Sequence, residues 1–142
     1  MSTHSKIIMK EKNGIYRSIY CHFDGYPTGV GSVLIKHYNT EDKVRELINL
    51  GALSSIGSEI GKKIDYDKMA RSGTPAPDQF IAYHRDRGEE LEIMKYSNIH
   101  DIMKSFCVEY YYVFDENNWY VFKSSPENAV LVKDIMEGVA KI

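Results

Sequence analysis

The sequence is poor in cysteine. Cys21 and Cys107 are the only two, and neither sits at C-x-x-C or metal-ligand spacing. No disulfide framework or cysteine-held metal can therefore organise the fold, and a reducing interior is the expected setting. Long hydrophobic runs are missing as well. No stretch approaches the ~18–20 apolar residues of a membrane span, which predicts a soluble, cytoplasmic protein. Charge of one sign is also missing: the net charge of −2 excludes a nucleic-acid polycation, so any basic site must be local. There is no Gly-x-Ser-x-Gly, P-loop or dinucleotide fingerprint. Tryptophan occurs once against eleven tyrosines. A tyrosine carries an apolar ring and a polar tip, so many of these rings are expected at surfaces and pocket rims.

What is present suits one domain. A chain of 142 residues, 43% hydrophobic and 27% charged, can bury a core without staples and is too apolar for disorder. Residues 1–142 are expected to form a single unit. Ser5 to Lys12 and Ile15 to Phe23 read as a hairpin around Asn13-Gly14, a pair that tolerates a tight two-residue turn. Period-two alternation puts Ile19, Cys21 and Phe23 on one face and Tyr20, His22 and Asp24 on the other.

A turn over Gly25 to Gly29 should lead into a short helix carrying Val30, Val33 and Leu34. Thr40 should cap a second helix that buries Val44, Leu47 and Ile48 and stops at Gly51. Gly61 to Asp78 reads as a long loop with Gly73, Pro75 and Pro77 as breakers. Strands are expected over Gln79–His84 and Leu91–Lys95, with a charged turn between them. Ser97 or Asn98 should cap a helix running to Phe106. A second hairpin should turn at Asp115 to Asn118. Pro126 should open a last helix that buries Val132, Ile135, Met136 and Val139. The expected class is α+β: a mostly antiparallel sheet built from hairpins and covered by three to four short helices.

Four features could carry chemistry. Gly25, Gly29 and Gly31 stand where a strand becomes a helix. Backbone N–H groups there can meet a phosphate or carboxylate, although the same glycines also serve a sharp turn. His22-x-Asp24 and His84-x-Asp86 repeat an imidazole–carboxylate pair two residues apart, which on a strand points one way. Brought together, these four could hold a metal or do acid–base work; apart, they are hydrogen-bonded strand ends. Arg85 and Arg87 flank Asp86, and two guanidinium forks could grip an anion or form a solvated charge cluster. His84-Arg85-Asp86 also begins like a kinase catalytic loop, but the downstream Asn and the Asp-Phe-Gly are missing. Finally, Tyr110-Tyr111-Tyr112 with Trp119 and Tyr120 could stack a base, form a subunit interface or fill a two-faced core.

Several of these residues together form a pattern. Tyr20-Cys21-His22-Phe23-Asp24-Gly25-Tyr26-Pro27, then Gly29-Val30-Gly31 and His37-Tyr38, resemble the "YCHWDGYP…VG…HY" opening of a family of small phage and prophage accessory proteins. Leu50-Gly51 with Ser54-Ser55-Ile56-Gly57 is similar to that family's "LG…SS(I/L)G" segment. Tyr83 to Glu89 is similar to its "YxRDRGE", and Glu109 to Val121 to its aromatic ending. Phe23 stands where the pattern has Trp, and His84 where Gly is commoner, so a shared metal site would not depend on His84. The resemblance implies an accessory role and carries over no catalytic residue.

By analogy with phage proteins that sequester nucleotide immune signals, the resemblance and the residues together predict a non-enzymatic, cofactor-free binder of a small anionic ligand such as a nucleotide, acting against host defence. Its expected site is Tyr20, His22, Asp24, Gly25, Tyr26, Gly29, Gly31, His84, Arg85, Asp86 and Arg87. In that reading the glycines cradle phosphate, Arg85 and Arg87 neutralise it, and Tyr20 or Tyr26 stacks the base. Two other classes compete. One is a phosphoesterase or related hydrolase using the paired His-x-Asp motifs. The other is a protein–protein inhibitor of a host defence factor, acting through the tyrosine-rich sheet. The hairpin edges need covering, which a homo-oligomer would do.

Overall fold

In a computed structural model, residues 3–61, 79–105 and 108–142 are described. Most of the expected loop, together with Phe106 and Cys107, lies outside them. β1 (Ser5–Lys10) and β2 (Tyr16–Cys21) form the first hairpin. Its turn is longer than the two residues expected. Glu11 N–H donates to the Ile15 carbonyl at 2.8 Å, and Gly14 N–H to the Glu11 carbonyl at 2.9 Å. Within this turn only Gly14 takes a positive φ, +86°. Gly14 thus supplies the left-handed residue of a three-residue turn. Asn13 instead accepts the Ile15 N–H on its side-chain oxygen at 3.0 Å.

A single π-wound turn, Pro27–Gly31, runs into α1 (Ser32–His37). Thr40 then caps α2 (Glu41–Asn49), its hydroxyl accepting the Lys43 N–H at 3.4 Å. Gly51, at φ +77°, ends that segment in the left-handed region. Val44, Leu47 and Ile48 of α2 are fully buried, each contributing about 1.5–3 kcal/mol. β3 (Leu53–Ser55) and β4 (Ile81–Ala82) follow, then α3 (Tyr83–Arg87). The strand expected to reach His84 therefore stops at Ala82, and the charged stretch is a helical turn. The Asp86 carboxylate accepts the Ala82 N–H at 2.8 Å and so closes that turn, and Gly88 at φ +70° ends it.

β5 (Met94–Tyr96) is shorter than expected, and α4 (Ile99–Ser105) is capped by Asn98, which accepts the His100 N–H at 2.9 Å. β6 (Tyr110–Asp115) and β7 (Asn118–Phe122) form the second hairpin, with positive φ at both Glu116 and Asn117. Pro126 opens only a 3-10 turn, Pro126–Asn128. Ala129 returns to extended backbone, β8 (Val130–Leu131) pairs with β7, and α5 (Val132–Met136) follows. Val139, expected in the core, is 74% exposed because the helix has already ended.

The strands form one mixed, mostly antiparallel sheet in the order β4-β3-β2-β1-β6-β7-β8. Two pairings are parallel, β1 with β6 and β2 with β3. β5 joins the same edge of β2 as β3, at Tyr16–Ser18, while β3 meets β2 at Cys21. The class is α+β, as the pattern of hairpins predicts. The parallel β1–β6 pairing, which hairpins alone do not supply, joins the two halves.

Both faces of the sheet are covered. One carries Ile7, Met9, Ile19, Cys21, Tyr112 and Phe114 against Leu34, Leu47, Ile48 and Val132 from α1, α2 and α5. The other carries Ile8, Tyr111, Val113 and Phe122 against Ile102 of α4. Tyr38, Tyr111 and Tyr112 are core residues rather than rim residues. Their polar tips are satisfied inside: Tyr38 donates to the Gly57 carbonyl at 2.7 Å, Tyr112 donates to the Gly25 carbonyl at 2.6 Å, and the Tyr111 hydroxyl accepts the Val108 N–H at 3.3 Å. Among the described residues, no helix is long and apolar enough to cross a membrane.

Candidate ligand-binding cleft

The glycine turn after β2 is held by its own chain. Gly25 N–H donates to the Thr3 carbonyl at 2.8 Å, Gly29 N–H to the Tyr26 carbonyl at 2.9 Å, and Val30 N–H to the Asp24 carbonyl at 2.8 Å. Backbone packs so closely that a Cβ on Gly29 would sit 2.3 Å from the Asp24 carbonyl oxygen, and one on Gly25 2.8 Å from that of Thr3. Gly31 is buried against Tyr112 and Val132. Asp24 takes φ +56° and accepts the Tyr26 hydroxyl at 3.0 Å. The amides of Gly25 and Gly29, expected to cradle a phosphate, are spent on forming the turn. These glycines are required by close approach of backbone to backbone.

The charged motif divides in two. Asp86 is buried, and besides the Ala82 N–H it takes Arg85 Nε at 3.0 Å and Nη2 at 3.1 Å. Arg85 also donates to the Ile60 carbonyl at 2.7 Å and lies over the Phe80 ring at 5.3 Å. This pair fastens α3 to the segment after β3. His84 Nδ1 donates to the Glu89 carbonyl at 2.8 Å. His22, Asp24, His84 and Asp86 thus have separate partners. Among the described residues, no group of three His, Cys, Asp or Glu side chains could hold a metal ion.

Arg87 faces elsewhere. Together with Lys6 and Tyr20 from the first hairpin, Ala52 and Tyr83, it lines a cleft of about 790 Å³. Glu89, Glu90, Glu92 and Met94 complete the lining. Of the eleven residues expected to form a site, Tyr20 and Arg87 line this cleft and His22 bonds to Tyr20. The other eight are not part of its lining. Lys6, Glu90 and Glu92 escaped the sequence reading, whereas Tyr83 and Glu89 entered it as the ends of the Tyr83 to Glu89 motif. A signal for Lys6 did exist: period-two alternation puts it on the same side of β1 as the apolar Ile8, and the β1–β2 register sets it opposite Tyr20.

Two of the three glutamates act on the two cations of the cleft. Lys6 is only 5% exposed. Burial lowers its pKa from the usual lysine value, and Glu92 partly opposes the shift. Arg87 Nε pairs with Glu89 at 3.0 Å, and its guanidinium lies 5.1 Å from the Tyr83 ring centroid, a cation–π distance. Burial pushes the Tyr20 hydroxyl up to about 12, aided by Tyr83, and raises Tyr83 as well. Both phenols therefore hold their protons at neutral pH.

Behind Tyr20 stands an imidazole pair. The Tyr20 hydroxyl is 2.8 Å from His22 Nδ1, and the His4 and His22 rings lie 4.5 Å apart between centroids. His4 Nδ1 is 2.8 Å from the His22 carbonyl oxygen. A carbonyl only accepts, so His4 carries a proton on Nδ1. Burial, and then His4, lowers the His22 pKa. No family model, curated protein or solved structure matches this chain.

Proposed function

We propose that this protein binds and sequesters a small anionic ligand, with a nucleotide as the favoured class, in the cleft between the first hairpin and α3. One observation carries the reading: a cleft of about 790 Å³ places the buried Lys6 and the Tyr83-stacked Arg87 beside two protonated tyrosines. That volume falls in the range of pockets that enclose small molecules, roughly 300–1,000 Å³. Lys6 and Arg87 supply positive charge for a phosphate, while the Tyr20 and Tyr83 rings supply apolar faces for a base. Glu89 holds Arg87 in place, and Glu92 acts on Lys6. The resemblance to phage accessory proteins extends the proposal to a role: removal of a nucleotide signal that host defence uses.

The hydrolase alternative lacks an assembled group, because its four residues serve separate local bonds. The protein-inhibitor alternative loses Tyr111 and Tyr112, which fill the core. A thermal-shift panel of cyclic and linear nucleotides tests the binding reading. A ligand at a hundred times its dissociation constant adds about 2.7 kcal/mol of apparent stability. The expected result is a clear shift for at least one nucleotide, with that nucleotide recovered intact after denaturation. No shift across the panel, or recovery of a cleaved product, would overturn it.

A further inference from the structure

The Tyr20 hydroxyl borders the cleft and is bonded to a side chain that can reverse the bond. A phenol can give or take in its contact with His22 Nδ1, and the imidazole decides which. An imidazole nitrogen accepts better than a phenol oxygen. Neutral His22 therefore carries its proton on Nε2, and the Tyr20 O–H points at Nδ1. Toward anything else the Tyr20 oxygen is then only an acceptor. Once His22 is protonated, Nδ1–H donates to the phenol oxygen, and the phenol proton must turn away from the imidazole.

We infer that Tyr20 is the specificity-determining residue for ligand charge in this cleft, and that His22, backed by His4, is the positioning residue that sets whether Tyr20 accepts from or donates to the ligand. The inference rests on the reading of the cleft as an anion site and adds to it a residue that selects. An anion is poorly served while Tyr20 accepts and gains a donor once His22 is charged.

The surroundings fit this role. From the segment before β1, the His4 ring lies tilted by 31° against His22. Ahead of β6, the Glu109 carboxylate accepts the His4 backbone N–H at 2.9 Å and acts on Tyr20. Tyr83 of α3 and the buried Cys21 thiol also act on Tyr20, Lys6 of β1 stands directly opposite it, and Arg87, Glu89, Glu90 and Glu92 share its cleft. The Phe23 ring stands edge-on to His22 at 4.7 Å. Burial and His4 both favour neutral His22 in the free protein, and an anion in the cleft works against that preference.

The test uses sulfate and 3′,5′-cyclic AMP, whose own charges stay constant from pH 5 to 8. Titration calorimetry of the whole chain should show binding tightening about tenfold from pH 8 to pH 5. By reciprocity, saturating ligand should raise the His22 titration midpoint, read by its ring NMR signals, by about one unit. In Tyr20→Phe the tightening at low pH should be lost, so that affinity at pH 5 falls to about the pH 8 level. Tyr20→Phe binding with the wild-type pH profile would overturn the inference, and so would ring nitrogen shifts placing the neutral His22 proton on Nδ1. Equal affinity at pH 5 and pH 8 while His22 titrates would sink the inference and leave the anion site standing. Absence of binding by either probe at any pH would remove both.

Discussion

Lys6 stands directly opposite Tyr20 in the β1–β2 pairing and opposite Tyr111 in the β1–β6 pairing, so a nearly buried cation lies between two tyrosine-bearing strands. Replacing it with an apolar chain of similar length removes the charge while keeping the packing. Lys6→Met should fold with stability within about 1 kcal/mol of wild type and lose the nucleotide-dependent thermal shift. The pH dependence gives a second readout. The folded pKa of Lys6 lies below its ordinary 10.5. Between the two values the unfolded chain holds more protons, so Lys6 makes stability rise with pH through that window. Urea titrations from pH 8 to 10.5 should show this slope in wild type and a smaller one in Lys6→Met.

Asp86 is structural, and its loss should show in stability rather than in affinity. Asp86→Ala strands the Ala82 N–H and leaves Arg85 without its carboxylate. Breaking a buried pair by removing one partner costs roughly 3–5 kcal/mol. Chemical denaturation should show a loss of that size. A cost under 1 kcal/mol would mean that the pair does not hold α3 in place.

The glycine turn gives a graded comparison. Gly29→Ala drives a Cβ into the Asp24 carbonyl, and both are backbone-fixed. The expected cost is about 3 kcal/mol, the upper part of the overpacking range. Gly14→Ala meets open space and suffers only from its φ of +86°, a cost of about 1–2 kcal/mol. Equilibrium unfolding should rank the two in that order.

His22 makes acid stability predictable in sign. Its folded pKa lies below the ordinary 6.5 because of burial and His4. Between the two values the unfolded state binds more protons, so stability rises with pH there and falls on acidification below 6.5. Melting temperatures from pH 5 to 7.5 should follow this trend, and His22→Gln should flatten it. An unchanged slope in the variant would assign the trend to other groups.

Local signals were the legible ones. Thr40 capping α2, Gly51 ending its segment, and the alternation of Tyr111 against Tyr112 all depend on neighbouring residues, and each appears in the structure. The misread parts depend on distant partners. Where a strand end and a charged turn were expected, the Asp86 carboxylate closes onto Ala82 and makes α3. The burial of Lys6 depends on β6 lying beside β1, with Tyr111 opposite it. The glycines suggested a phosphate cradle because their residue types permit one. Only the Thr3 and Tyr26 carbonyls, placed by tertiary structure, reveal that the amides are already taken.

The parallel pairing of β1 with β6 has a consequence for how the chain assembles. Ser5 meets Tyr110 and Met9 meets Phe114, so β1 gains its second neighbour only after most of the sequence has been synthesised. Until then the β1–β2 hairpin keeps an open edge. Contacts this far apart in sequence slow folding and lengthen that exposure. Every named lining residue of the cleft, from Lys6 to Met94, precedes β6, so the walls of the cleft are synthesised before β6 closes the β1 edge beside Lys6.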